Sequence, residues 1–266
     1  MTDDDLSTEA VSAALSGTFG RPLRVHVEVA STNDEALEWA MSGAPEGAVV
    51  VADHQAAGRG RWARTWLSPP GRALMFSLVL RPAANVVPLL TTALGVAVAE
   101  AVENAAGLDC GLKWPNDVVV GGKKTAGILV EGRSSGDGVE AVAAGVGINV
   151  SWPVEEMPEE IRAGATSLVS AGAGPLPRAA LLAEVLAATE RWYRRLSAED
   201  GRSALIEAAT KRSTILGHRV LLRHSDGSLI EATALRLLAD GALEIEADRK
   251  RTAVTAGEIE RVRAED

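Results

Sequence analysis

The chain has 266 residues, a hydrophobic fraction of 47% and a formal net charge of −9. This length accommodates one large domain, or a large and a small domain, around a sizeable core. The acidic balance argues against general nucleic-acid affinity, which needs a basic face. The single cysteine, Cys110, excludes a disulfide framework within the chain and a cysteine-based zinc site.

In chain order, the first part of the sequence predicts strands that alternate with helices. Alternating or continuous apolar runs predict strands at 24–29, 48–52, 73–80, 112–114, 118–120, 126–130 and 140–150. Helical spacing predicts helices at 35–41, 86–106, 177–198 and 201–212, and residues 1–20 leave room for one short helix. Gly121 and Gly122 predict a hairpin turn between two of the strands.

The pattern changes after Gly217, where only short strands are predicted. They cover 220–223, 229–238, 242–246 and 251–254, with turns at 225–227 and 240–241. Such short, closely spaced strands predict a small antiparallel barrel. We therefore expect two domains, residues 1–215, of which 1–20 are a short extension, and residues 216–266.

The N-terminus and the hydropathy pattern indicate in which cellular compartment the protein is expected. The first residues, Met1 to Asp5, are acidic, whereas a secretory signal begins basic and continues apolar. The apolar stretch around 86–102 is interrupted by polar residues and by Pro88. We expect a soluble cytoplasmic protein with no membrane partner. The four histidines lack metal-ligand spacing, so a transition-metal site is not expected.

Residues 58–66 read Gly-Arg-Gly-Arg-Trp-Ala-Arg-Thr-Trp. Three guanidiniums packed this closely repel one another, which favours an anionic ligand between them. The glycines permit close backbone approach to that ligand and mobility when the site is empty. Residues 58–64 are also compatible with an ordinary solvated basic loop or an RNA-contacting patch, and without the other motifs the solvated loop is favoured.

A second basic segment lies further along the chain. It comprises Lys-Trp-Pro-Asn-Asp at 113–117 and Gly-Gly-Lys-Lys-Thr-Ala-Gly at 121–127. Residues 113–117 are also typical of a turn that ends a strand. Residues 121–127 are also typical of an exposed hairpin tip. Together with residues 58–66, this second segment predicts a site that brings two negatively charged molecules together.

These motifs resemble, in order, the signature of the biotin–protein ligases. Lys124-x-Ala-Gly-Ile-Leu-x-Glu131, Gly145-x-Gly-Ile-Asn149 and Ser31-Thr-Asn33 add to the match, which covers about residues 24–266. The resemblance implies an α+β fold: a central mixed β-sheet flanked by helices, as in class II aminoacyl-tRNA synthetases. It also implies a small C-terminal SH3-like β-barrel.

The same resemblance implies an activity and its partners. A biotin–protein ligase uses ATP and Mg²⁺ to convert biotin to biotinyl-5′-AMP, with release of pyrophosphate. It then transfers biotin to a lysine on the carboxyl carrier domain of an acyl-CoA or pyruvate carboxylase. We expect a monomer or a ligand-dependent homodimer. Because the stretch before Arg24 is short and acidic, we expect no DNA-binding domain and no repressor activity.

The resemblance also assigns site residues. The catalytic residues are expected to be Lys124 and Arg61. The biotin site is expected to comprise Ser31, Thr32, Asn33, Gln55, Gly58, Arg59, Gly60, Gly127, Leu129, Gly145, Gly147 and Ile148. The nucleotide site is expected to comprise Arg61, Arg64, Trp66, Lys113, Asn116 and Asn149, with Asp117 and Asn116 as Mg²⁺ ligands. Trp62 stands where the family often has a basic or small residue, which leaves its role open.

Two other functions are compatible with parts of this pattern. A lipoate–protein ligase or octanoyltransferase shares the implied fold but lacks the paired motifs at 58–66 and 113–117. A nucleotide- or RNA-binding module would use residues 58–64 as a phosphate nest. The net charge and the second lysine cluster disfavour that module.

Overall fold

The computed structural model of the chain describes residues 6–135, 138–224 and 227–261. A mixed seven-stranded sheet forms its centre, in the order β1-β2-β3-β7-β6-β5-β4. Its strands are β1 (Leu23–Val29), β2 (Val49–Gln55), β3 (Ala73–Leu80), β4 (Cys110–Lys113), β5 (Asp117–Val120), β6 (Lys123–Ser135) and β7 (Gly138–Asn149). Strands β1 and β2 are parallel, and all other neighbours are antiparallel.

Helices cover both faces of this sheet. They are α1 (Thr8–Ala14), α2 (Thr32–Met41), α3 (Leu90–Ala106), α4 (Glu159–Arg162), α5 (Arg178–Arg195) and α6 (Gly201–Arg212). Apolar residues of α2 pack against one face, and those of α3 and α5 build the larger core on the other. Strand β3 is therefore buried along its whole length, which explains its uninterrupted apolar sequence.

Helix α3, extended by the preceding 3₁₀ turn, is apolar enough to resemble a membrane span. The stretch Val87–Ala106 has a mean hydropathy of 1.2, yet 61% of it is buried inside the protein. Because the central sheet and α5 already cover much of this stretch, its apolar character is that of a core helix.

A second, antiparallel sheet follows the central one in the chain. Its strands are β8 (Arg219–Arg223), β9 (Leu229–Leu237), β10 (Leu243–Ala247), β11 (Lys250–Val254) and β12 (Glu258–Arg261), in the order β11-β10-β9-β8-β12. Its apolar cluster includes Trp114 and Ile215 from the preceding part of the chain. The Trp114 indole also donates a hydrogen bond to the Gly241 carbonyl at 3.1 Å, so the second sheet is anchored beside the end of β4.

The sequence predicted this mixed α+β arrangement and most of its elements, and the structure confirms both. Gly121 and Gly122 form the expected hairpin turn, with φ of 57° and 77°. Trp114 is a correction, because it lies in a turn and not at the end of a strand. The next residue, Pro115, has no N–H with which to continue the ladder. Strand β12 was not predicted, and positions 225 and 226 of the predicted turn lie outside the described residues.

One buried ion pair joins the core helix α5 to the two strands that flank residues 58–66. Arg178 donates to Asp53 at 2.5 Å and to the Ala73 carbonyl at 3.1 Å. Asp53 also accepts from the Gly71 N–H at 3.0 Å. The end of β2 and the start of β3 are thus held together at the base of the intervening loop.

We expect Arg178→Ala to lower the free energy of unfolding by ~3 kcal/mol, because it leaves the Asp53 carboxylate without its buried partner. The Arg178 side chain is only 8% exposed, whereas Arg219 pairs with Glu231 at 70% exposure. Arg219→Ala is therefore the matched control, with an expected loss below ~1 kcal/mol. Chemical denaturation measures both, and equal losses would contradict a special role for the buried pair.

Candidate active site

The two basic segments meet in one cleft of about 530 Å³ beside the central sheet. Its walls come from the loop residues 59–67, the β4–β5 turn, strands β6 and β7, and β12 of the second sheet. The predicted site residues that line it are Ser31, Thr32, Asn33, Gln55, Arg59, Gly60, Arg61, Arg64, Trp66, Lys113, Asn116, Asp117, Lys124, Gly127, Leu129, Gly145, Gly147 and Asn149.

Two predicted biotin-site residues do not line the cleft. Ile148 is fully buried in the main core, on the face of β7 opposite its glycines, so its expected place in the biotin site is wrong. Gly58 lies at the base of the loop, where a Cβ would be 2.8 Å from the Trp66 carbonyl oxygen. Its role in this structure is to let the two sides of the loop approach each other.

The arginine-rich loop folds back on itself. Trp66 N–H donates to the Gly58 carbonyl at 2.9 Å, and Gly60 N–H donates to the Arg64 carbonyl at 2.7 Å. The tip is a tight turn over Arg61–Ala63, in which Trp62 and Ala63 have positive φ. This closed geometry holds Arg61 and Arg64 at the wall of the cleft.

At one end of the cleft, the start of α2 carries a buried polar network. Thr32 donates from its N–H and its hydroxyl to Gln55 Oε1, at 2.7 and 3.1 Å. Asn33 donates to the Leu129 carbonyl at 3.2 Å and accepts from the Ser77 hydroxyl at 2.6 Å. Because each of these groups has a partner, the network presents polar atoms in fixed positions.

Gly145 makes room for this network. A Cβ at position 145 would overlap the Asn33 amide. Gly145 was expected in the biotin site, and the structure fills the space beside it with Asn33. The glycine therefore allows α2 to approach β7 closely.

Arg59 is held by carboxylates on two other elements. It donates twice to Asp34 at 2.6 Å and once to Glu131 at 3.4 Å. The hydrogen bond from Arg59 lowers the pKa of the Asp34 carboxyl below its usual value. Arg59 thus links the loop to α2 and β6 and carries little uncompensated charge.

Arg64 and Arg61 both contact the second sheet, but in different ways. Arg64 makes a two-pronged ion pair with Glu258, and that hydrogen bonding lowers the pKa of the Glu258 carboxyl. Arg61 donates to the Gly257 carbonyl at 2.8 Å. Burial lowers the pKa of Arg61, yet a guanidinium stays charged near neutral pH.

Lys124 reaches the cleft because of a β-bulge. The register between β5 and β6 shifts at Val118/Val119, which leaves Thr125 as the extra residue beside Lys124. The Lys124 ammonium lies 2.6 Å from Asp117 Oδ1 and 5.6 Å from the centre of the Trp66 ring. The cation therefore stands between the second motif and the arginine-rich loop.

The Trp66 ring lies across the two glycines on the floor of the cleft. A Cβ at Gly147 would be 2.6 Å from the indole, and one at Gly127 would be 3.0 Å from it. Gly127 was expected in the biotin site, whereas here Trp66 and Lys124 occupy the space next to it. The indole Nε1 is buried with no hydrogen-bond partner among the described residues.

Two amide residues of the cleft, Asn116 and Asn149, have a side-chain oxygen that accepts no hydrogen bond from the described residues. Asn116 donates to the Ile128 carbonyl at 2.9 Å, and Asn149 donates to the Thr166 carbonyl at 3.1 Å. Asn149 Oδ1 is buried and finds no partner in the part of the chain that the structure describes. A buried acceptor without a donor is costly, which favours a ligand that supplies one.

Several cleft residues escaped the sequence analysis. Ser77, inside an apolar strand, does not line the cleft but supports Thr32 and Asn33 from below through its hydroxyl. Glu160, Ile161, Gly164 and Ala165 line the cleft and belong to a segment without a motif. That segment covers Lys124 through a hydrogen bond from the Lys124 N–H to the Gly164 carbonyl at 2.8 Å. Glu258 and Ile259 come from the unpredicted strand β12. No local pattern marks any of these positions.

Comparison with known proteins shows what this arrangement is similar to. Residues 27–149 match the model of the biotin/lipoate A/B protein ligase family. The Bacillus subtilis bifunctional ligase/repressor BirA is 42% identical over 178 residues, covering 66% of this chain and 55% of its own length. The chain thus spans little more than half of that relative.

A relative of similar length decides the family. The biotin–[acetyl-CoA-carboxylase] ligase of Mycobacterium tuberculosis is 31% identical over 255 residues, covering 93% of this chain and 92% of its own length. The chain belongs to the biotin–protein ligase family. Its fold agrees with the Aquifex aeolicus biotin protein ligase in complex with biotin and ATP, with a TM-score of 0.76 and 31% identity. That match covers 91% of this chain and 99% of the other.

We expect Gly147→Ala to destabilise the protein by ~1–3 kcal/mol, since its new methyl group overpacks against the Trp66 ring. In a Trp66→Ala background the same change meets no ring, so at least half of the loss should disappear. Gly174→Ala is the control, because a Cβ there has no neighbour within 4 Å. Chemical denaturation measures the free energy of unfolding of wild type, the two single variants, the double variant and the control. If Gly147→Ala destabilises the Trp66→Ala protein as much as it destabilises wild type, the Trp66 ring is not the cause.

Proposed function

We propose that this protein is an ATP-dependent biotin–protein ligase. In the first step, the biotin carboxylate attacks the α-phosphate of ATP, and the products are biotinyl-5′-AMP and pyrophosphate. In the second step, a lysine amine of a carrier protein attacks the mixed anhydride, and the products are an amide and AMP. The observation that carries this proposal is the convergence of Lys124, Arg61 and the α2 polar network in one cleft.

Biotin has a small polar ring and an apolar body, and the cleft offers matching surfaces. Ser31, Thr32 and Gln55 present polar atoms at the ring end, with Thr32 and Gln55 fixed by their mutual hydrogen bonds. Leu129 supplies an apolar wall. We assign the biotin ring to this end of the cleft, because fixed polar groups with apolar walls orient such ligands.

The carboxylate and the phosphates belong at the cationic end. Two anions that approach each other repel, and negative charge builds on the α-phosphate in the transition state. Lys124 and Arg61 are placed to lower that repulsion, because fixed cations in a sheltered site need no reorganisation. We assign Arg64, Lys113 and Asn149 to the nucleotide side of the cleft. Asn149 Oδ1 has no hydrogen-bond partner among the described residues and can accept a hydrogen bond from the nucleotide.

Mg²⁺ would be held together with the ATP phosphates. Among the described residues, no three His, Cys, Asp or Glu side chains form a cluster that could hold a metal ion. Asp117 and the Asn116 amide oxygen are suitable donors, because Mg²⁺ takes one or two protein oxygens and keeps phosphates and waters as its other ligands. The metal would supply charge neutralisation on the phosphates.

The second sheet and the loop would shield the reactive anhydride from water. Glu258 and Ile259 form part of the wall, and Arg64 ties them to the loop. We propose that this sheet is the SH3-like barrel expected from the resemblance, that it begins a domain near residue 216, and that the loop orders around the acyl-adenylate. Cytoplasmic location, a carboxylase carrier domain as acceptor and the lack of repressor activity stay predictions.

The test is biotin-dependent release of pyrophosphate from Mg-ATP by the full chain. We expect release that requires biotin, and a loss of roughly 10²–10³ in rate for Lys124→Ala and for Arg61→Ala, as for other donors to a developing charge. Lys123→Ala is the matched control, because Lys123 is the adjacent, exposed residue of the same hairpin. It should keep the wild-type rate.

Lipoate and octanoate serve as competing substrates in the same assay, since the matched family model includes lipoate ligases. Release with lipoate but none with biotin would transfer the assignment to a lipoate ligase. A wild-type rate in both Lys124→Ala and Arg61→Ala would show that the reaction does not use this cleft.

A further inference from the structure

Trp62, at the tip of the arginine-rich loop, adopts a strained backbone conformation. Its φ and ψ are 55° and 38°, and Ala63 follows with a φ of 56°. Side chains with a Cβ rarely adopt this left-handed region, and two in succession are rarer still. Strain of this kind collects where the surrounding structure or the function requires one geometry.

The strained turn brings the Trp62 indole back toward the two arginines beside it. The guanidinium carbon of Arg61 lies 5.5 Å from the ring centre, and that of Arg64 lies 5.9 Å away. Both distances are within the range of a cation–π contact. The ring lines the cleft and is 39% exposed, so core packing does not explain its position.

Arg61 forms no ion pair of its own within the described ranges, although the negative charges of Asp117 and Glu258 lie near enough to favour its cationic form. Its partners are the neutral Gly257 carbonyl and the Trp62 ring. Arg59 and Arg64 each face a carboxylate. A carbonyl and an aromatic face can fix the direction of a guanidinium without neutralising it, which keeps Arg61 ready for an anion.

We propose that Trp62 is a positioning residue for the nucleotide: its indole holds the guanidiniums of Arg61 and Arg64 where they meet the ATP polyphosphate. This inference rests on the proposed ligase function and assigns a role to a residue that departs from the family pattern. The ring acts through the arginines and makes no contact with biotin. Its loss therefore weakens ATP binding and leaves biotin binding unchanged.

The experiment compares wild type with Trp62→Ala, Trp62→Phe and Trp62→Gly in biotin-dependent pyrophosphate release. We expect Trp62→Ala to raise the KM for ATP about tenfold, as the loss of two cation–π contacts would. Trp62→Phe keeps an aromatic face and should stay within about threefold of wild type. The Kd for biotin without ATP, from calorimetry, should be the same in all four proteins.

Trp62→Gly separates the ring from the backbone. Glycine accepts a φ of +55° without strain, so this variant relaxes the turn while it removes the indole. If the ring positions the arginines, Trp62→Gly raises the KM for ATP as Trp62→Ala does. A KM at or below the wild-type value in Trp62→Gly would show that only the backbone matters, and would overturn the proposal.

The control variant changes a cation–π contact that lies away from the cleft. Arg195→Ala removes a cation–π contact with Trp192, outside the cleft, and should leave the KM for ATP unchanged. A wild-type KM for ATP in Trp62→Ala, with slower transfer to an acceptor or a changed oligomeric mass, would make Trp62 a docking residue and overturn the inference. If the wild type itself releases no pyrophosphate, the proposed function fails, which is a separate result.

Discussion

The structure depends on how four closely spaced cationic side chains are held around one cleft. Arg59, Arg64 and Lys124 are each held by a carboxylate from another element: Asp34, Glu258 and Asp117, respectively. These pairs connect the loop and the β6 hairpin to α2, to the second sheet and to β5. Arg61 alone among the four keeps its charge without a carboxylate partner in the described ranges. The framework thereby fixes the loop while one guanidinium stays available to an anionic ligand.

The apolar scaffold makes this arrangement possible. The central sheet is covered on both faces, so the strands that carry Gly127, Gly145 and Gly147 cannot shift. Small residues at these points let Asn33 and Trp66 approach the sheet closely. A polar network and an indole then stand at defined positions on an otherwise apolar floor, as small-molecule sites require.

The sequence predicted the central sheet well because its strands are apolar runs bounded by glycine, proline and polar turns. It also predicted that the arginine-rich loop and the second basic segment form one site, since both are local clusters of cations. The other cleft residues were expected from the resemblance to the ligase family. The misplacement of Ile148 arose because adjacent residues of a strand face opposite sides of the sheet. Periodicity alone did not reveal which side was the cleft.

Residues brought in by tertiary contacts could not be predicted. Glu258 pairs with Arg64 across almost 200 positions, and Ser77 looks like part of a core strand until Asn33 is placed beside it. The left-handed turn at Trp62 is likewise invisible in the sequence, because tryptophan carries no preference for it. Such features are determined by the packing of distant elements, which no local pattern encodes.

The most direct test of the account is to trap the acyl-adenylate itself. Stoichiometric protein, biotin and Mg-ATP would be mixed without acceptor, quenched in acid and examined by mass spectrometry for biotinyl-5′-AMP. At a mixing time just long enough for the wild-type reaction to finish, the account predicts close to one adenylate per active wild-type chain and none above background in Lys124→Ala. Binding of biotin and ATP without any adenylate in the wild type would contradict the claim that this cleft joins the two.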